Sequence, residues 1–357
     1  MKAKQKKEIT IDKKEIIIVS LLLLVGFILR LIYLSQIKEV NLLLAGGDMI
    51  TYHNQAIQIL NGSFPKGPYY YNPLYSYFLA LIYSIFGPNP YIVRKVQAIM
   101  GIILCLLIYL IARNVFDRKV ALISLFLSTI YGLFMLYETC LLIEVLSTFL
   151  ITLSLFFLLN PSYKNLALAG ISLGLSALAR ANILLFIPFL LIWMLKSSRV
   201  KGLGSRVIRF GFLCLIILLT ISPCTIRNYL ASGKFVLIST NGPVLLWIGN
   251  NPYATGEYKY PPSPYNEMVA ERVKKEGDKA YIKEVISFIK EDPKGFLRLL
   301  FKKFLLFWSS LEIDNNFNSL IQRGYSHLLS LSIFIGFGII GPLALIGILL
   351  SLSSFKR

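Results

Sequence analysis

Acidic residues are scarce in this chain: 18 Asp and Glu stand against 37 Lys and Arg over 357 positions, and charged residues make up only 15%. A soluble domain of this length carries roughly a quarter charged residues, so an ordinary water-exposed surface is excluded. Histidine is scarcer still. His53 and His327 stand alone without ligand-like spacing, which gives no support to a zinc site and leaves both with structural roles. Cys105, Cys140, Cys214 and Cys224 lie in or beside apolar segments and show no metal-type spacing. Cys140 and Cys224 could both face outward, so a disulfide and separate thiols are the alternatives; we favour separate thiols. Internal repeats, low-complexity tracts and a separate soluble domain are also missing.

What is present is apolar. Hydrophobic residues reach 56%, with 24 Phe and 20 Tyr. Several runs approach or exceed the roughly 20 residues that a helix needs to cross about 30 Å of hydrocarbon. The fold class is therefore an all-α polytopic membrane protein. The formal charge of +19 raises nucleic acid as a partner, but the basic residues cluster at the ends of apolar runs, where they orient spans in membrane lipid. No nucleic-acid partner is expected. We place eight spans at 15–35, 91–112, 120–137, 142–159, 166–179, 182–195, 208–223 and 329–352. Lys13, Lys14, Arg113, Arg118, Lys119, Lys164, Lys196, Arg206, Lys356 and Arg357 then share one side, the cytoplasmic one, together with both termini. The first apolar core, Ile16 to Leu34, is longer than that of a cleavable signal and reads as an uncleaved plasma-membrane anchor.

Two apolar stretches are not counted as spans. Residues 73–87 would reverse the side of the Arg113–Lys119 loop. Residues 294–308 set Lys294, Arg298 and Lys302 at successive turns opposite Phe and Leu, the pattern of a helix lying on the membrane surface. Spans 166–179 and 182–195 are short and meet at Arg180, so they could equally form a re-entrant hairpin. Two large outer segments remain within one membrane-embedded domain, 36–90 and 224–328. The first carries a polar helix near 49–61. The second opens on a strand-like or extended piece, Phe235–Ser239, and continues with amphipathic helices from Asn266 to Lys290, stopped by Asp292-Pro293.

Few residues here can do chemistry. Asp48 follows Gly46-Gly47 just beyond the first span, with Tyr52 one turn on. It suits a helix cap, a role Asp favours by about 1 kcal/mol, and equally a proton acceptor at the membrane face. Glu144 lies one turn inside an apolar helix, where a carboxylate costs at least a few kcal/mol and faces a cavity or partner. Glu138, in the same turn, reads as a solvated loop residue. Arg180 and Arg227 are outward cations able to bind phosphate bidentately or to reach lipid headgroups. The stretch Trp247–Gly256 carries Asn250 and Asn251, suited to a plain loop or to sugar hydroxyls. The outer carboxylates could hold a divalent ion or work without one, so no cofactor is assigned.

Together these residues resemble the GT-C superfamily of integral-membrane glycosyltransferases, in particular the bacterial group similar to protein O-mannosyltransferases and aminoarabinose transferases. The matching elements are Asp48 with Tyr52, Pro73-Leu74-Tyr75, Arg94 with Gln97, Glu144, Leu178 with Arg180, and the run from Pro223 through Gly256. The resemblance spans residues 15 to about 350. It implies a polyprenyl-phosphate sugar donor, a lipid, glycan or protein acceptor, and hexosyl or pentosyl transfer on the extracytoplasmic face. It further implies that Asp48 is the general base, that the anomeric centre inverts, that Glu144 orients the base, the acceptor or a cation, and that Arg180 and Arg227 neutralise the departing phosphate. Two departures stand out. Tyr70, Tyr71 and Asn72 occupy the ground where aminoarabinose transferases carry an acidic-basic pair, and many relatives continue past the eighth span, whereas this chain stops at Arg357. A lipid-sugar flippase, which would show paired charges or broken helices near mid-membrane, and an inactive scaffold of an envelope-glycan complex are the alternatives.

Overall fold

The computed structural model describes residues 12–37, 47–63, 66–196, 200, 202–310, 313, 324–331 and 333–354. Every regular element among them is a helix. The chain divides into two units: residues 1–238 with 320–334, and residues 239–319 with 335–357.

In the first unit, α1 (Lys13–Gln36) starts where the Asp12 side chain accepts from the Glu15 amide at 2.6 Å. Its Ile and Leu side chains are exposed along most of the length, which only a lipid environment stabilises. The polar helix α2 (Gly47–Leu60) packs on α3 (Leu74–Phe86), which ends at Gly87 with φ +76°. Asn89 caps α4 (Pro90–Val115), and Asp117 caps α5 (Arg118–Thr129). The apolar run 120–137 is broken at Ile130–Tyr131, giving α5 and the short α6 (Gly132–Glu138). Then come α7 (Glu144–Leu158) and α8 (Tyr163–Ala179), a 3-10 turn Ala181–Phe186, α9 (Ile187–Lys196) and α10 (Leu203–Ser232).

Three of these helices, α1, α4 and α10, are long and apolar enough to cross a membrane; α3, α7 and the 181–196 stretch are shorter apolar helices. The expected run 208–223 thus extends to 30 residues and includes Arg227 in its last turns. The piece Phe235–Ser239 is not a strand: Asn228 donates to the carbonyls of Val236 (3.2 Å) and Ile238 (2.9 Å), and Thr225 donates to that of Leu237. Side chains of α10 replace the missing ladder partner. On α8, Gly170 and Gly174 lie one turn apart against α10, where an added Cβ would come within 2.8 Å of Ile216 and 2.5 Å of Thr220. Small residues at this spacing let membrane helices approach closely.

The second unit holds α11 (Gly242–Gly249), α12 (Tyr265–Glu276), α13 (Lys279–Glu291) and α14 (Pro293–Phe307). Buried Trp247 centres it, packed with Val244, Ile248, Val269 and Val285 and ringed by Tyr260, Tyr265 and Tyr281. The last expected span, 329–352, is split between α15 (His327–Ser330) of the first unit and α16 (Phe337–Ser354) of the second.

Glu138 corrects a sequence reading. It is 2% exposed rather than solvated, and it accepts from both Nε and Nη2 of Arg30 on α1, each at 2.8 Å. Gly101 of α4 makes the room: a Cβ there would lie 1.8 Å from Glu138 Oε1. Removing one member of a buried pair leaves an uncompensated charge and costs about 3–5 kcal/mol. Glu138→Ala should therefore lower stability in detergent by about that much, and Gly101→Ala by about 1–3 kcal/mol through overpacking. Thermal unfolding followed by circular dichroism checks both; unchanged midpoints would mean that the pair does not hold the bundle.

Candidate functional site

Tyr52, on α2, is buried between the rings of Tyr71 and Tyr75, with centroids 6.3 and 5.2 Å away, both edge-on. Its hydroxyl is pushed well above the usual tyrosine range, first by burial, then by the negative charges of Asp48 and Glu144, with Arg180 acting in the opposite direction. One phenol therefore senses both acids and the cation that the sequence singled out. Tyr52 remains a protonated donor at any physiological pH.

Asp48 is half-buried in the first turn of α2, where a carboxylate complements the helix dipole. The helix begins at Gly47, whose φ is +63°, so Asp48 lies inside the first turn rather than before it. Gly46, also part of the expected motif, lies outside the described residues. Glu144 opens α7 and accepts from Arg180 Nη2 at 2.7 Å, with both side chains partly exposed. The other carboxylate oxygen of Glu144 is buried without a hydrogen-bond partner. Arg180 is the residue that ends α8; its extended backbone (φ −150°, ψ 97°) turns the guanidinium back toward α7.

The turn that presents Glu144 is held from below. Gln97 accepts from the Tyr75 hydroxyl at 2.7 Å and donates to the carbonyls of Glu138 and Cys140, both at 2.8 Å. Tyr33 and Thr139 hydroxyls meet at 3.4 Å in the same turn. These buried hydrogen bonds satisfy carbonyls that a chain reversal would otherwise leave bare. They were invisible to sequence reasoning, although the Arg94 and Gln97 pattern flagged one member.

Arg227 does something different from Arg180. Its Nη1 donates to the Gly67 carbonyl at 2.6 Å, and its guanidinium lies 4.2 Å from the centre of the Tyr69 ring. Next to it, Asn228 accepts from the Tyr69 amide at 3.0 Å. At the other end, Asn72 donates to the Ala179 carbonyl at 3.0 Å, beside Arg180. Residues 67–72 thus form a strap tied to α10 at one end and to the tip of α8 at the other. Tyr70 and Tyr71 sit on the strap, their rings 5.0 Å apart.

Asn250 and Asn251 belong to the second unit. Asn251 is buried; its amide donates to the Trp247 and Ile248 carbonyls, and its oxygen accepts from the Tyr253 amide at 2.8 Å. Asn250 donates to Leu246 and accepts from Lys303. Both amides finish α11. His53 meets the Tyr83 hydroxyl at 2.8 Å, and burial lowers its basicity. All four cysteines are free thiols. Among the described residues no group of three or more His, Cys, Asp or Glu could hold a metal ion.

Residues 66–226 match the profile of the family described as dolichyl-phosphate-mannose-protein mannosyltransferase, a little under half of the chain. Over that segment the sequence is similar to that family. The segment contains the strap, Glu144 and Arg180; Asp48 and Tyr52 precede it, and Arg227 follows its last residue. A solved structure, the protein O-mannosyltransferase Pmt1-Pmt2 complex of S. cerevisiae bound to the sugar donor, is similar at 18% identity with a TM-score of 0.49, covering 62% of this chain and 34% of that one. The chain spans about a third of that relative's length, and a likeness of this degree supports no functional argument. No curated protein matches the chain.

The strap makes a direct forecast. Arg227→Ala removes a charge-assisted hydrogen bond worth about 1.5–3 kcal/mol and a ring contact worth about 0.5–2 kcal/mol. Amide exchange at Tyr69 should accelerate about tenfold or more, with Arg227→Lys intermediate. Mass-detected hydrogen exchange over residues 66–72 reads this out, and unchanged rates would show that the strap is held elsewhere.

Proposed function

We propose that this chain is a membrane glycosyltransferase that moves a sugar from a polyprenyl-phosphate donor to an acceptor hydroxyl on the extracytoplasmic face. The observation carrying the reading is the partly exposed Glu144–Arg180 ion pair with one Glu144 oxygen left unbonded, whose charges act together with that of Asp48 on the Tyr52 hydroxyl. A mannosyl donor, named in the description of the matching family, is the first to test.

In this reading the Asp48 carboxylate takes the proton from the acceptor O–H as that oxygen attacks the anomeric carbon. The bond from that carbon to the phosphate oxygen breaks, the configuration inverts, and polyprenyl phosphate leaves with the electron pair. Arg180, partly exposed and already aligned by Glu144, meets the charge growing on the phosphate. Tyr52, a proton donor throughout, hydrogen-bonds to the oxygens assembled between the acids and the cation. Arg227 acts through the strap it anchors, which ties Asn72 to the Ala179 carbonyl next to Arg180 and sets Tyr71 against Tyr52. Asp48 and Glu144 are the pair that would share a divalent ion if the donor phosphate brings one.

A transporter is the second reading, because Arg30 with Glu138 is a paired charge in an apolar bundle and the α5–α6 run is broken. Against it, these side chains are about 1% and 3% exposed and satisfy each other, whereas a substrate pathway needs charges that face water.

Incubating the purified protein with polyprenyl-phosphate mannose and an acceptor should release polyprenyl phosphate. Asp48→Asn should slow that release about 10²–10⁴-fold, the usual worth of a general base, without changing the melting point. Release at the wild-type rate in Asp48→Asn removes the proposed base, and translocation of intact donor without release favours the transporter.

A further inference from the structure

We propose that the second unit carries a site for the phosphate of a membrane-lipid headgroup, lined by Arg298 and Lys302 of α14. It is independent of the transferase reading. A cavity of about 280 Å³ opens between the loop after α11 and the first turns of α14, with Asn251, Asp292, Gly295, Arg298, Leu299 and Lys302 in its wall. Ligand pockets run from roughly 300 to 1,000 Å³, so this one suits a headgroup rather than a larger molecule.

The charges in that wall are unbalanced. Arg298 and Lys302 lie one helical turn apart and share a face. Neither pairs with a carboxylate among the described residues. A guanidinium takes two phosphate oxygens at once, and an ammonium one turn further adds a point charge. Asp292 lines the same cavity, but its Oδ1 accepts from the Gly295 amide at 2.8 Å and caps α14. It disfavours a second negative charge, so a phosphodiester fits better than a multiply charged anion.

The wall is also preformed. Asn251 is fixed by three hydrogen bonds to its own loop and to α11, and Lys303 ties Asn250 to α14 at 2.8 Å. What marks the source of the phosphate is the rest of the helix. Leu297, Phe301, Phe304 and Leu305 are exposed on α14 beside the cations. Such a face is costly in water and favourable at the boundary between headgroups and acyl chains. A tethered headgroup arrives at that depth, whereas free phosphate gains nothing from the apolar side chains.

The test is native mass spectrometry of the full-length protein in detergent with added phosphatidylglycerol. The wild type should retain one such lipid per chain. The double variant Arg298→Gln/Lys302→Gln should retain it at least tenfold less, with Arg298→Lys in between. Lys274→Gln/Lys275→Gln, two exposed cations on α12, should leave retention unchanged. Circular dichroism confirms that each variant is folded. Equal retention by the first double variant overturns the proposal, as does an equal loss in the α12 variant. Displacement by inorganic phosphate at matched concentration would make it a free-anion site, and displacement by tenfold less undecaprenyl phosphate would make it part of the donor site; either result overturns the lipid-headgroup assignment.

Discussion

The first unit depends on one ion pair that physical chemistry makes expensive. Removing a guanidinium and a carboxylate from water costs several kcal/mol each, and only near-ideal geometry recovers it. Arg30 and Glu138 have that geometry: two parallel hydrogen bonds of 2.8 Å, with a third from Arg30 to the Gly26 carbonyl at 3.2 Å. The pair joins α1 to the end of α6, across the space that Gly101 leaves on α4. Its value is positional. An apolar contact would tolerate rotation of α6, whereas a bidentate pair permits one arrangement.

That arrangement propagates through the turn after α6. Gln97 and Tyr75 fix the carbonyls of residues 138 and 140, so Glu144 enters α7 at a set point beside the end of α8. From the other direction, the strap 67–72 fixes the tip of α8 and with it Arg180. The two cations singled out by sequence therefore divide the work: Arg227 binds protein carbonyl and ring, and Arg180 pairs with Glu144. The strap itself carries tyrosines and no charge, and Arg180 is the cation paired with Glu144.

Much of the helical framework was legible in the sequence, because hydropathy, Pro and Gly mark helix ends with little competition in an apolar chain. Pro90, Gly87 and Asp292 all stand where a helix begins or ends. Asp48, Tyr52, Glu144 and Arg180 were legible as candidates because polar residues in apolar surroundings are few. What was not legible needed partners distant in sequence. Glu138 looks like a loop residue until Arg30, 108 positions earlier, is placed opposite it. Phe235–Ser239 has strand composition, but its carbonyls are taken by α10 side chains. Asn250 and Asn251 look like sugar ligands, yet the nearest unsatisfied groups were the carbonyls at the end of their own helix.

Glu138 and Glu144 show that an acid in a membrane helix is not functional by virtue of its position alone. Six residues apart in one segment, they have opposite surroundings. Glu138 has both oxygens bonded to one guanidinium and is sealed from solvent, so it has no capacity left for a ligand. Glu144 gives one oxygen to a partly exposed arginine and keeps the other without a partner, a half-satisfied state that a stable core avoids. Native folds keep such groups where something else completes them. The difference between the two carboxylates lies in what remains unbonded, and in the proposed reading that remainder is where a substrate would complete the site.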